Sequence, residues 1–208
     1  MTTIYIYVLD TLADWELGHV TSELHSGRFF KKGAQNISLK TVSNTKDSIK
    51  TMGGLTLVPD CTIEDMVVND TNMLILPGAD TWSNPIHRTI IEKASKFLSM
   101  GATVCAICGA TTALANFGLL DNRRHTSNGP GFLDMFSPNY KGQSFYIDVP
   151  SVVDHNLITA SCTGSLLWAK QIIEHLDVFQ PNTLEAWYHY FNTGTPESFY
   201  ALMNTLQP

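Results

Sequence analysis

The chain has 208 residues, 44% of them hydrophobic and 15% charged, with a formal net charge of −6. That length and apolar content suit one globular unit able to bury a real core. The acidic balance excludes nucleic acid as a main partner, because a phosphate backbone demands a basic face. No lysine or arginine cluster appears, and the pairs in FFKKG and NRRHT stand alone. No apolar run approaches the ~20 residues needed to cross a bilayer. The start, MTTIYIYVLD, lacks a basic segment and a small-residue cleavage site. A cytoplasmic setting is therefore expected, with four free thiols at Cys61, Cys105, Cys108 and Cys162 rather than disulfides.

Taken in chain order, residues 4 to 10 read as a buried strand and 13 to 26 as a helix. A second strand follows at 37 to 43, and 46 to 60 reads as a hairpin turning at Gly53 and Gly54. The run at 72 to 80 is a short buried strand ending in a turn. Residues 85 to 101 form a helix closed by Gly101. ATVCAIC is the next strand, and GATTALANFG a helix stopped by Gly118. Beyond RRHTSN come a helix at 130 to 137, two short strands within 146 to 161, and a long helix at 163 to 176. A helical tail from about 180 to 208 carries Trp187 to Phe191, whose aromatic face suits core packing or a dimer seam. Strands separated by helices of this length imply crossover connections. The expectation is a single α/β domain over 1 to 208, with a mostly parallel central sheet and helices on both faces.

Open α/β sheets hold ligands beyond the carboxyl ends of their strands. Three segments should meet there: Asp10 to Glu16, the turn Pro77-Gly78-Ala79-Asp80, and Cys108-Gly109-Ala110. Cys108 is flanked two residues away on each side by Ala106 and Ala110, and a nucleophile on a sharp strand-to-helix turn needs such small neighbours. A helix starting at Gly109 would favour the thiolate and lower the thiol pKa. The Gly109 N–H would form one arm of an oxyanion hole, and the turn at 77 to 79 would offer a second N–H. Equally, Cys108 is open to reading as a small buried hydrophobe, and Glu16 as an exposed acid in a helix first turn. The C-A-I-C spacing of Cys105 and Cys108 has no second pair or histidine pair to complete a metal site, so neither metal nor cofactor is expected. Trp82 reads as a pocket wall or as simple packing, and Asp80 as a substrate contact or a solvated turn residue. Cys61, at an expected helix start, and Cys162, in ASCTG, read as structural.

AICGATTALANFGLLDNRRHTS resembles the nucleophile-elbow segment of the ThiJ/PfpI family. LILPGAD, TMGGLTLVPDCTIEDM, ADWELG and LITASCTGSLLWAKQIIEHLDV are similar to further family segments, in the same order, across residues 3 to 178. The resemblance implies a flavodoxin-like three-layer sandwich of the class I glutamine amidotransferase type, working as a homodimer on a small-molecule substrate. It implies Cys108 as the reactive cysteine and Glu16 as a protonated, buried acid bonded to its sulfur. The N–H groups of Gly109 and Ala79, beside Gly78, would make the anion pocket. Three departures matter. Protease-like members carry histidine where this chain has Gly109. The deglycase branch has histidine where this chain has Asn128, a residue able to orient substrate but unable to act as a base. Neither is there a His-x-Glu of the amidotransferase kind; His125 and His155 remain as candidate bases, and His175 reads as structural.

The expected function is a cysteine-dependent hydrolase or glyoxalase-like enzyme using Cys108. The alternative is a non-catalytic sensor in which Cys108 is oxidised to sulfinic acid beside Glu16. An amidotransferase-like or protease-like activity ranks below both.

Overall fold

The structure is a computed structural model that describes residues 1–206. Its centre is a seven-stranded sheet in the order β5-β2-β1-β6-β7-β9-β8. The strands are β1 (Thr2–Tyr7), β2 (Ile37–Ser43), β5 (Cys61–Thr62), β6 (Met73–Leu76), β7 (Thr103–Ile107), β8 (Ser151–Asp154) and β9 (Leu157–Ala160). Every neighbouring pair is parallel except β8 with β9, which closes one edge as an antiparallel hairpin. A separate hairpin joins β3 (Ile49–Lys50) to β4 (Thr56–Leu57), turning through the two glycines as the sequence implies. The expected mostly parallel α/β architecture is thus observed.

The apolar strands explain the layering. β6 and β7 are buried at every position, as strands must be when helices cover both faces of a sheet. On one side, α1 (Asp14–Ser26) packs against α5 (Ser165–His175). The helices α2 (Arg88–Ser99) and α3 (Ala110–Asn116) pack against β7. Between β7 and the closing hairpin, the chain also forms α4 (Phe132–Phe136).

Two places near the sheet edge depart from the sequence reading. β1 ends at Tyr7 rather than residue 10, because the chain turns at Thr11, whose φ of 66° lies in the left-handed region. Cys61 was expected at a helix start but lies in β5, paired with Val42. Reciprocal bonds between Thr41 and Asp60 lock that edge: the Thr41 N–H donates to Asp60 Oδ2 at 2.8 Å and the Asp60 N–H to the Thr41 carbonyl at 3.0 Å. The helical turn is displaced to Ile63–Asp65, where Thr62 and Asp65 cap each other.

The tail forms α6 (Pro181–Thr193) and α7 (Pro196–Asn204). Its aromatic face is divided between two roles. Trp187 is fully buried, and its indole N–H donates to Glu23 Oε1 of α1 at 3.1 Å. Glu23 is itself buried and paired with Arg28. Phe199 and Tyr200, by contrast, remain exposed. No described helix is long and apolar enough to cross a membrane.

Trp187 is therefore the pin between the tail and the sheet layers. Replacing it with alanine removes a large buried ring and strips Glu23 of a donor. The expected loss is about 3–5 kcal/mol, read by urea unfolding of Trp187→Ala against the parent chain.

Candidate active site at the β7–α3 turn

β7 delivers Cys108 to the carboxyl edge of the sheet, and the chain turns there into α3. Cys108 carries a φ of 56°. A side chain in this left-handed region costs on the order of 1 kcal/mol and persists only where surrounding contacts over-determine it. Those contacts are visible. The Cys108 N–H donates to the Ala160 carbonyl at 3.0 Å, and the Cys108 carbonyl accepts from Thr111 Oγ1 at 2.6 Å. Ala106 and Ala110 are both fully buried, which is why the bend needs small residues there.

α1 brings the second group. Glu16 sits in the first turn of that helix, fully buried. Its Oε2 accepts the Gly78 N–H at 2.6 Å, and the Ala13 N–H donates back to the Gly78 carbonyl at 2.9 Å. The two bonds tie the start of α1 to the turn after β6. The other oxygen, Oε1, is buried with no hydrogen-bond partner among the described residues, and the Cys108 side chain packs against the carboxyl group.

Gly78 makes this contact possible. A methyl group there would lie 2.6 Å from Glu16 Oε1 and 2.8 Å from Cys108 Cβ. Gly109 is equally constrained: a methyl would lie 2.7 Å from the Ala79 carbonyl oxygen and 3.4 Å from the Ala79 nitrogen. The Ala79 and Gly109 backbones thus pack directly on each other beside the sulfur. Ala79 itself is extended, with φ −162°, a conformation that any residue adopts.

Asn128 supplies the third contact. Its Nδ2 donates to Cys108 Sγ at 3.2 Å, while its Oδ1 accepts the Cys162 N–H at 2.8 Å. With its oxygen engaged in this way, the amide presents only a donor to the sulfur. Ser127, one residue earlier, shares a 2.6 Å hydrogen bond with Thr111 and anchors the segment on α3. Neither the Ser127–Thr111 link nor the Cys162 N–H had a sequence signal, since both depend on loops distant in the chain.

The remaining expected residues lie outside this core. Trp82 is buried, packs with Tyr7 and His87, and donates its indole N–H to the Pro77 carbonyl at 2.8 Å. It supports the turn from behind. Asp80 is exposed, and its N–H donates to Thr11 Oγ1 at 2.8 Å. His125 has both ring nitrogens engaged, Nδ1 with the Arg123 carbonyl and Nε2 with the Tyr140 hydroxyl, each at 2.7 Å. His155 is exposed in the β8–β9 turn beside Asp154. His175 bonds Thr103 at 2.7 Å, the structural part expected of it. Among the described residues no three His, Cys, Asp or Glu side chains gather as a metal site.

Burial sets the electrostatics. It raises the Glu16 carboxyl to about 7, against the opposing pull of the Gly78 N–H and the Cys108 thiol. Burial also pushes the Cys108 thiol up to about 12; Asn128 and the Gly109 N–H oppose the rise, and a charged Glu16 adds to it. The thiol pKa is therefore raised, not lowered as its place at a helix start implies. A seven-residue helix start offers less to the thiolate than burial takes away. The carboxyl, not the thiol, changes charge near neutral pH.

A model of the DJ-1/PfpI family matches residues 2–175. A Bacillus subtilis protein named as the uncharacterized protease YoaZ is 44% identical over 203 residues, 98% of this chain and 97% of the relative. A thiJ/pfpI family protein from Bacillus anthracis superposes with a TM-score of 0.95 at 44% identity, covering 98% of this chain and 97% of that one. A DJ-1 superfamily protein from Agrobacterium tumefaciens gives 0.80 at 25% identity, over 93% of this chain and 99% of that one.

Two outcomes follow from the geometry. Gly78→Ala forces Glu16 and Cys108 apart, with an expected destabilisation of about 1–3 kcal/mol and altered iodoacetamide labelling of Cys108, read by denaturation and mass spectrometry. Glu16 binds its proton up to about pH 7 when folded but only to about 4.5 when unfolded. The folded state thus holds more protons between those values, and stability falls as pH rises through them, by on the order of 3 kcal/mol in total. Glu16→Gln, which keeps an acceptor for Gly78, should flatten the pH dependence of stability in that window.

Proposed function

This chain belongs to the DJ-1/PfpI family, and from that premise we propose a cysteine-dependent enzyme acting on a small electrophilic carbonyl compound, with Cys108 as nucleophile. The observation that carries this reading is the pair itself: a half-buried thiol against a fully buried carboxyl whose pKa is raised to about 7. A proton acceptor works best when its pKa lies near the working pH. Glu16 then does the work that a histidine does in other cysteine enzymes, and Asn128 at the histidine position is no loss.

In this mechanism the Cys108 S–H proton passes to the Glu16 carboxylate as sulfur bonds to the carbonyl carbon. The carbonyl π pair moves onto oxygen. The N–H groups of Gly109, which faces the Cys108 sulfur at rest, and of Ala79 receive the developing oxyanion. Protonated Glu16 is then placed to return the proton to the alkoxide. Asn128 steadies the sulfur before attack.

A 2-oxoaldehyde such as methylglyoxal suits these short turns. Amides are the second substrate class, in keeping with the Bacillus subtilis relative's name. The lack of room for a side chain at Gly109 sets this site apart from the histidine-bearing arrangement of protease-like members. Asn128, an amide that contacts the sulfur where the deglycase branch has a histidine base, favours a second reading, a sensor that reacts with oxidants but turns over no substrate.

Turnover of methylglyoxal and of a chromogenic amide, followed on both sides of pH 7, tests the proposal. We expect kcat/KM to climb about tenfold per pH unit below 7 and level off above it. Glu16→Gln should lose about 10²–10⁴ in rate and abolish the inflection. Absence of turnover with either substrate, while iodoacetamide still labels Cys108, would reject the enzyme and leave the sensor.

A further inference from the structure

We propose that Cys162 is the resolving thiol for Cys108: after attack on a hydroperoxide, the two form a reversible disulfide that spares Cys108 from deeper oxidation. This rests on the reading of Cys108 as a reactive thiol.

The four free cysteines are placed very differently. Cys61 lies on β5, separated from β7 by β2, β1 and β6, roughly 19 Å away at the ordinary strand spacing. Cys105 is wholly buried inside β7, where no oxidant or exchanging thiol reaches it. Cys162 alone is a neighbour of the site. β9 pairs directly with β7, with Ile107 opposite Ala160. Cys108 stands one residue past that pair and Cys162 two residues past it, where both chains leave the sheet.

The carboxamide of Asn128 spans the pair, with Nδ2 on Cys108 Sγ and Oδ1 on the Cys162 N–H. Adjacent strands lie about 4.8 Å apart, and a disulfide joins Cα atoms about 4.4–6.8 Å apart. Cys108 leaves strand alternation with its φ of 56° and Cys162 lies in the turn after β9, so a bridge between these neighbours, one carboxamide apart, requires the Asn128 amide to swing aside. Cys162 is also held in place: the Ser161 N–H donates to the Pro150 carbonyl at 3.0 Å and the Gly164 N–H to the Ser161 carbonyl at 2.9 Å. Both cysteines are half-buried, so a small oxidant reaches them.

The chemistry balances with a hydroperoxide as oxidant. Cys108 sulfur, giving its proton to Glu16, attacks the terminal peroxide oxygen. The O–O bond breaks, the alcohol leaves with that proton, and Cys108 becomes a sulfenic acid. Cys162 sulfur then attacks Cys108 sulfur. The S–O bond breaks, and the hydroxyl departs as water with the Cys162 proton. Two thiols supply the two electrons that reduce one peroxide to alcohol and water. While the bridge lasts the nucleophile is blocked, and an external thiol restores it.

The test treats the whole chain with a slight excess of tert-butyl hydroperoxide, blocks remaining thiols with iodoacetamide, and maps peptides by mass spectrometry. The expected product is a Cys108–Cys162 linked peptide that dithiothreitol reverses. In Cys162→Ser, sulfinic acid at Cys108 should accumulate several-fold faster instead. Cys162→Ala should behave the same way, which separates loss of the thiol from disturbance of the turn. Equal sulfinic acid in parent and variants, with no linked peptide, overturns the resolving role and leaves Cys108 reactive. If Cys108 also resists iodoacetamide in the unoxidised chain, the reading of Cys108 as a reactive thiol falls with it.

Discussion

A carboxyl group sealed against a thiol, with only a glycine between them and the neighbouring turn, is the contact around which this structure is arranged. Glu16 has no solvent to charge into, so its proton is held to about pH 7. The surroundings must deliver one backbone donor to it and no bulk. Gly78 meets both needs, donating its N–H to Oε2 and leaving its Cβ position vacant for Oε1 and Cys108 Cβ. The left-handed Cys108 is tolerable because the same packing holds it on every side.

The sheet exists upstream of that contact. Parallel β1, β6 and β7 end at one edge, so the start of α1, the turn after β6 and the elbow after β7 arrive together. Each contributes a different group. α1 brings the acid, the β6 turn brings backbone N–H groups, and β7 brings sulfur. β9 adds the Cys162 N–H that orients Asn128. β6 pairs with both β1 and β7 and so holds the acid-bearing and sulfur-bearing ends at one rim, which is why a buried core of apolar strands bears directly on chemistry there.

Electrostatics at the site run against the simplest picture of an activated cysteine. Donors surround the sulfur, yet burial raises its pKa, and the neighbouring acid is the group poised near neutrality. In the proposed mechanism, transfer of the thiol proton to Glu16 during attack fits this balance better than a resting thiolate. It also gives Asn128 a coherent part. A neutral donor at that position steadies sulfur without competing for the proton, and it links Cys108 to the turn carrying Cys162.

Much of the architecture is written in local pattern. Fully apolar runs such as MLIL and TVCAI announce buried parallel strands, and AICGA announces the elbow because only small residues flank a bend of that kind. The edge strand at Cys61 was not legible, since two residues pair there through Thr41 and Asp60 rather than through any periodicity. At the site, the sequence by itself determined which groups were available: Cys108, Glu16, the glycines and Asn128. Tertiary structure alone decided their protonation and their partners, because pKa values follow from burial and from donors that arrive from distant loops. The helix start seen in the sequence argued for a lowered thiol pKa. Packing the acid, the sulfur and Gly78 into one unhydrated space reversed it.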